Sequence, residues 1–186
     1  MNPIYSRQPS GGIGYSFENF LAHFFEICYE HLRNGRAKSF AFILFDFEHG
    51  DVFLTLKNEK VFTKLDRLSG KELTIFYLNS EQRDLVDQFN NIFVNALSVN
   101  DSIPLPSIVF FKVVGNDAEN IEFHRISNDK LFAFQEINDY IQSYITNMDQ
   151  PQKKGTAFLN AVFKKLTEAG FDYITQKFFE KLSNGQ

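Results

Sequence analysis

An α/β fold is predicted by three features of this chain. Three apolar runs, Phe40–Phe45, Leu73–Leu78 and Ser107–Val114, read as strands. Amphipathic stretches of helical period separate them, and the third run is followed by a polar turn and an alternating strand, Ile121–Ile126. Two apolar strands joined by a helix imply a parallel, right-handed crossover with both sheet faces covered. The expected architecture is therefore a three-layer sandwich, a mixed central sheet flanked by helices, with a C-terminal helical extension.

Residues 1–15 contain Pro9-Ser-Gly-Gly-Ile-Gly14 and read as a flexible lead-in. Ser16 is placed to cap a first helix, with Glu18 in its first turn favoured by the helix dipole. Phe17, Phe20, Leu21, Phe24, Ile27, Cys28 and Leu32 form its apolar stripe, and Asn34-Gly35 closes it. Cys28 on that stripe reads as a buried structural thiol. After the first strand, Asp51 can cap a helix whose inner face is Leu54, Val61, Phe62, Leu65 and Leu68, ended by Ser69-Gly70. Ser80 precedes a long helix through Leu85, Val86, Phe89, Ile92, Phe93, Ala96 and Leu97. Asn128 or Asp129 caps another, with Phe134, Ile137, Ile141 and Tyr144 inward. Polar residues 147–155 then lead to two further amphipathic segments, about Ala157–Ala169 and Asp172–Leu182. The domain organisation read from this is a lead-in at 1–15, an α/β domain at 16–147 and a helical hairpin at 148–186.

Composition bounds the function. A chain of 186 residues with 44% hydrophobic and 23% charged residues builds its own core. With 23 phenylalanines and no tryptophan, one ring type dominates that core. A net charge of −4 argues against a broad nucleic-acid footprint, which needs a basic surplus. A single cysteine permits no internal disulfide. Residues 1–15 lack the apolar run of a signal peptide, and no stretch approaches the ~18 apolar residues of a membrane span. The expected location is cytoplasmic, without a transmembrane segment.

The element order, with two short matches, resembles the thioredoxin superfamily over Phe40–Ile145. Phe45-Asp46-Phe47 is similar to the end of that family's central strand, where an aspartate lies beneath the active site. Leu105-Pro106 followed by Ser-Ile-Val-Phe-Phe-Lys112 is similar to the family's Ile-Pro-Thr-Leu-Leu-Leu-Phe-Lys pattern, whose proline is cis. The resemblance implies a reactive surface at Glu48, His49, Gly50, Asp51, Val52 and Phe53, next to Leu105 and Pro106. It also implies that the backbone of Leu105 pairs with an extended peptide. Where redox members carry Cys-x-x-Cys, this chain has Val52-Phe-Leu-Thr55, and Tyr77 stands where thioredoxin has a lysine. The thiolate is the nucleophile of disulfide exchange, so that chemistry is excluded.

Asp46, Glu48, His49 and Asp51 form the densest set of acid–base or metal-capable side chains. A solvated turn with a helix cap accounts for them without a metal. The four histidines, at 23, 31, 49 and 124, have no metal-ligand spacing, and no phosphate loop or Gly-x-Ser-x-Gly is present. Residues 151–186 carry six lysines against three carboxylates, with Phe158, Leu159, Val162, Phe163 and Leu166 and then Phe171, Ile174, Phe178, Phe179 and Leu182 as apolar stripes. It either packs on the domain or binds a partner, a second copy in a homodimer, or an anionic surface. The function expected is recognition of a protein or peptide by a redox-inactive thioredoxin-like module, a chaperone, scaffold or adaptor, with no cofactor. The alternative is a cysteine-independent enzyme, either a glutathione-type transferase relative using Thr55 or a metal-dependent hydrolase using the Asp46/Glu48/His49/Asp51 cluster.

Overall fold

A computed structural model describes residues 1–7, 13–48, 50–97, 103–114 and 117–148. Its elements are β1 (Asn2–Tyr5), β2 (Tyr15–Ser16), α1 (Phe17–Arg33), β3 (Ser39–Leu44), α2 (Gly50–Lys57), α3 (Glu59–Ser69), β4 (Leu73–Asn79), α4 (Arg83–Leu97), β5 (Ser107–Val114), β6 (Asp117–Arg125) and α5 (Lys130–Asn147). The strands form one mixed sheet in the order β2-β1-β4-β3-β5-β6. The first four strands of that order run parallel to their neighbours, while β5 is antiparallel to both β3 and β6. The predicted α/β class with a mixed central sheet is what the chain adopts.

One sheet face is covered by α1 and α4. Alternation places Phe40 and Phe42 of β3, Phe76 of β4 and Phe111 of β5 on it, where they meet Phe20 and Phe24 of α1 and Phe93 of α4. The other face carries Ile43, Ile75, Tyr77, Ile108 and Phe110 beneath α2, α3 and α5, with Tyr144 stacked on Phe110 at 4.3 Å. Cys28 is fully buried on α1, as its place on the apolar stripe predicts, and Ser16 caps that helix by accepting from the Asn19 amide at 3.3 Å.

Several elements differ from the sequence expectation. Within the lead-in, Asn2–Tyr5 forms β1, paired from Asn2↔Phe76 to Tyr5↔Asn79 and anchored by buried Ile4. Gly14 closes the turn back onto it at φ +127°; a Cβ there would collide with the Pro3 carbonyl and the Tyr5 ring. The single helix expected after β3 is two, α2 and α3. Asn58 interrupts it because its side chain accepts from the Lys60 and Val61 amides, an N-cap for α3. The break resets the helical phase, so Val52, Phe53, Thr55 and Leu56 are buried in α2, whereas Leu54, expected inward, is 51% exposed. β6 starts earlier than the alternation indicates, and Asn120 within it has φ +56°. The helical hairpin expected at 148–186 falls, from residue 149 onward, outside the described residues.

Candidate functional site

The surface singled out by sequence lies where the chain leaves β3. Register pairs Leu44 with Ser107, which brings Phe45-Asp46-Phe47 alongside the turn before β5. In that turn the Leu105–Pro106 bond is cis. Its shape is held from both sides: the Ile126 amide donates to the Pro106 carbonyl at 2.8 Å, and the Ser107 hydroxyl donates to the Pro104 carbonyl. The end of β3 is fixed by buried Asn90 of α4, whose amide donates to the Phe45 carbonyl at 2.7 Å. This bond supplies a partner to a buried carbonyl just beyond the ladder.

From there Glu48 is exposed, Asp51 is exposed in the first turn of α2, and Gly50 is half-buried. Val52, Phe53 and Pro106 are buried, so they shape the surface from beneath, while Leu105 is half-buried and reaches it. His49 lies outside the described residues. Phe53 stacks on Phe45 at 5.3 Å and meets half-buried Phe47 edge-on at 6.4 Å. Two cations sit on these rings, Lys57 Nζ at 5.1 Å from the Phe53 centroid and the Arg83 guanidinium at 5.9 Å from that of Phe47. Lys57 also pairs with exposed Glu81 at 2.5 Å, which holds that carboxyl below its ordinary range. Sequence reading missed Phe47, Lys57 and Arg83 around Phe53, and took Leu54, which is exposed, for an inward residue.

Neither nucleophile weighed from the sequence is exposed on this surface. Cys28 lies on α1 and not here, and its burial pushes the thiol well above its ordinary range, the opposite of what a nucleophile needs. Thr55, the nucleophile of the transferase alternative, is buried and donates its hydroxyl to the Asp51 carbonyl at 2.8 Å. Among the described residues no three His, Cys, Asp or Glu side chains come together as metal ligands would.

A second concavity runs along the other edge of the sheet. An upper groove of about 520 Å³ lies between the α2–α3 junction and the β1–β4 pair, walled by Tyr5, Leu56, Phe62 and Tyr77. A lower cleft of about 200 Å³ shares Ile13 and Phe62 with it and continues past Asp66, Ser69 and Leu73. Burial, with Tyr5 nearby, pushes the Tyr77 phenol up. At the cleft, buried His31 of α1 bonds Thr74 Oγ1 through Nδ1 at 2.8 Å and the Tyr15 hydroxyl through Nε2 at 3.1 Å. Burial, then the Arg36 charge, hold the His31 imidazole below its ordinary range.

No protein-family model matches the chain, and comparison with curated proteins and with solved structures finds no match. Among the described residues no helix is long and apolar enough to cross a membrane.

Proposed function

We propose that this chain is a thioredoxin-like protein without dithiol chemistry, and that it binds a protein or peptide segment on the surface formed by Glu48, Asp51, Leu54 and Leu105. The observation that carries the reading is the strand plan. Three parallel strands ordered β1-β4-β3 continue into the antiparallel pair β5-β6, with α2 springing from the end of β3 beside the Leu105–Pro106 turn. In a thioredoxin-like chain the first turn of α2 would hold the reactive cysteines. Here that stretch is Val52-Phe-Leu-Thr55, of which only Leu54 is exposed. Ligand sites of open α/β sheets lie outside the carboxyl ends of the parallel strands, and this surface lies there. An exposed apolar side chain flanked by carboxylates suits a partner segment that is apolar with basic flanks. Fold alone does not assign function, so the strand plan supports the class of fold and those side chains support the binding.

The test is affinity capture from native lysate with the full-length chain, repeated with Glu48→Lys/Asp51→Lys. A partner retained by the wild type and lost by the variant, at unchanged melting temperature, is the expected result. Equal capture by both, or turnover in a dithiol-driven insulin-reduction assay, would overturn the reading.

A further inference from the structure

We propose that the outward row of α3, formed by Lys60, Lys64 and Arg67, docks an acidic peptide segment of a partner protein. This row is separate from the surface at Glu48, Asp51 and Leu54.

The row follows from helical spacing. Positions 60, 64 and 67 stand four and three residues apart, so at about 100° per residue they fall within an arc of about 60° and span about 10 Å. All three residues are exposed, and Lys71 is exposed in the turn that follows Gly70. The two carboxylates of the helix, Glu59 and Asp66, share a different line about 100° round. Glu59 borders the upper groove, while Asp66 borders the lower cleft and pairs with the Met1 amine. On the other side, Lys64 Nζ lies 5.6 Å from the ring centroid of Phe134 of α5. The helix therefore keeps its acids toward the groove and its bases toward α5.

This separation of signs costs the helix. Opposite charges at i, i+3 or i, i+4 would support α3, yet it has none and carries instead two like-charged pairs, Lys60/Lys64 and Lys64/Arg67. Lys60 also stands in the first turn, where the helix dipole disfavours a cation. Nor does the rest of the chain neutralise the row. Among the described residues Lys60, Lys64 and Arg67 make no ion pair, whereas Lys38 pairs with Glu72 and Lys57 with Glu81. The carboxylates of α5 are turned to other donors, Glu136 to the Ser127 amide at 2.5 Å and Asp139 to the Asn138 side chain at 3.2 Å. The three cations are thus left for an anion from outside.

The shape of the row selects among anions. The ammonium groups of Lys60 and Lys64 accept a carboxylate from many directions, and the Arg67 guanidinium takes one bidentately. About 10 Å is the reach of three extended residues, so one short segment rich in Asp or Glu covers the row. A lipid surface suits it less: Val61, Phe62, Leu65 and Leu68 are buried or half-buried, so α3 offers no apolar side chain to insert. A duplex suits it less as well, because so few cations meet few phosphates on a chain of net charge −4.

Titration of the isotope-labelled full-length chain with a blocked peptide of alternating Glu and Ala tests the assignment. The same peptide with Gln for Glu, a DNA duplex and phosphatidylserine vesicles are run beside it. The Glu peptide is expected to shift the amide resonances of Lys60, Lys64 and Arg67. Lys64→Glu/Arg67→Glu should weaken its binding by about tenfold or more, since two attractive pairs become repulsive. Lys64→Gln/Arg67→Gln should show the same loss in smaller measure. Arg7→Glu/Arg33→Glu, an equal change in net charge at exposed positions elsewhere, should leave the binding as it is. All these variants should melt as the wild type does. No shift from the Glu peptide, equal shifts from the Gln peptide, or equal weakening by the two charge reversals would each overturn the assignment. Stronger engagement of the row by the duplex or the vesicles than by the peptide would overturn it in favour of that anion. The same shifts arising with rising concentration of the chain alone would overturn it in favour of a second copy.

Discussion

Around Phe42, beneath α1 and α4, the sheet is closed by phenylalanine against phenylalanine, with the polar trio Tyr15, His31 and Thr74 toward the β1–β2 edge of that face, whereas beneath α2, α3 and α5 it carries tyrosines, a histidine and an open groove. On the first face Phe42 alone contacts Phe20, Phe24, Phe89, Phe93 and Phe111 with centroids between 4.4 and 6.2 Å. On the second, Tyr77 lines a groove, His124 stacks on Tyr140 at 4.5 Å, and the hydroxyls of Ser39 and Tyr144 are buried. Rings offer dispersion contact over their whole surface and leave no polar atom to satisfy, so a face built from them can be dry and complete. A face with hydroxyls and imidazole needs partners or water, and its openings are where a ligand can enter. The contrast sets a closed ring cluster on one side of the sheet against a more polar, open surface on the other side.

The sharpest way to break this contrast is to hollow out the dry face. Phe42→Ala removes a fully buried ring from the middle of this cluster and is expected to cost about 3–5 kcal/mol, read from urea unfolding. The same truncation at Phe62, half-buried on the groove wall, should cost clearly less, because part of that ring already meets solvent. Equal costs at the two sites would remove the distinction between the faces.

Next in size is the bond that fixes the end of β3. Asn90→Leu keeps the volume but leaves the Phe45 carbonyl without its donor, at an expected cost of about 1–3 kcal/mol. This change acts on the strand end beside the proposed binding surface. Its stability loss should therefore come with changed amide resonances at Phe45–Phe47, and shifts confined to α4 would contradict that link.

The third test concerns the pH response of the cleft. His31 has a lower proton affinity in the folded chain than in the unfolded one, whose imidazole titrates near ~6.5. The unfolded state thus binds the proton first as pH falls. The stabilising contribution of His31 is complete above that pH and is lost progressively below it. Arg36 adds to the depression, Glu30 opposes it, and Asp66 lines the same cleft. A tenfold difference in proton affinity corresponds to about 1.4 kcal/mol. Wild type should lose more stability than His31→Gln between pH 7.5 and pH 5, and parallel curves for the two would disprove the assignment.

How much of this was legible in the sequence follows the same division. The dry face was readable because its strands are uninterrupted apolar runs and α1 carries a clean helical stripe, down to the burial of Cys28. The other face was harder. β1 is four residues long with a proline, too short for alternation to register, and only pairing with β4 gives it structure. Apolar spacing carried the helix through Asn58, although Asn58-Glu59 is an N-cap signal, and the phase error moved Leu54 inward. The residues singled out after β3 and before β5 do lie at the strand ends, since topology sets those. Which of their side chains face outward depended on the helical phase that Asn58 resets. On the α1 side, His31 read only as one of four histidines without metal-ligand spacing, because its partners Tyr15 and Thr74 are brought to it by the sheet.

The smallest expected effect tests that phase directly. Leu54 sits between buried Phe53 and buried Thr55, and in α2 its side chain is turned to water beside Asp51. If the break at Asn58 sets the rotation of α2, then Leu54→Glu alters stability by no more than about 0.5 kcal/mol, the range of exposed substitutions away from special features. Val52→Glu, two residues earlier and fully buried, should prevent stable folding, since it places a carboxylate in the core without a partner. Under the continuous-helix reading the sensitivities reverse, with Leu54 facing the sheet. The same pair also separates stability from the proposed binding: Leu54→Glu should fold normally yet lose the captured partner, because the exposed apolar side chain of the proposed surface is gone. A Leu54→Glu chain that melts well below the wild type would place α2 in the other phase and remove Leu54 from the binding surface.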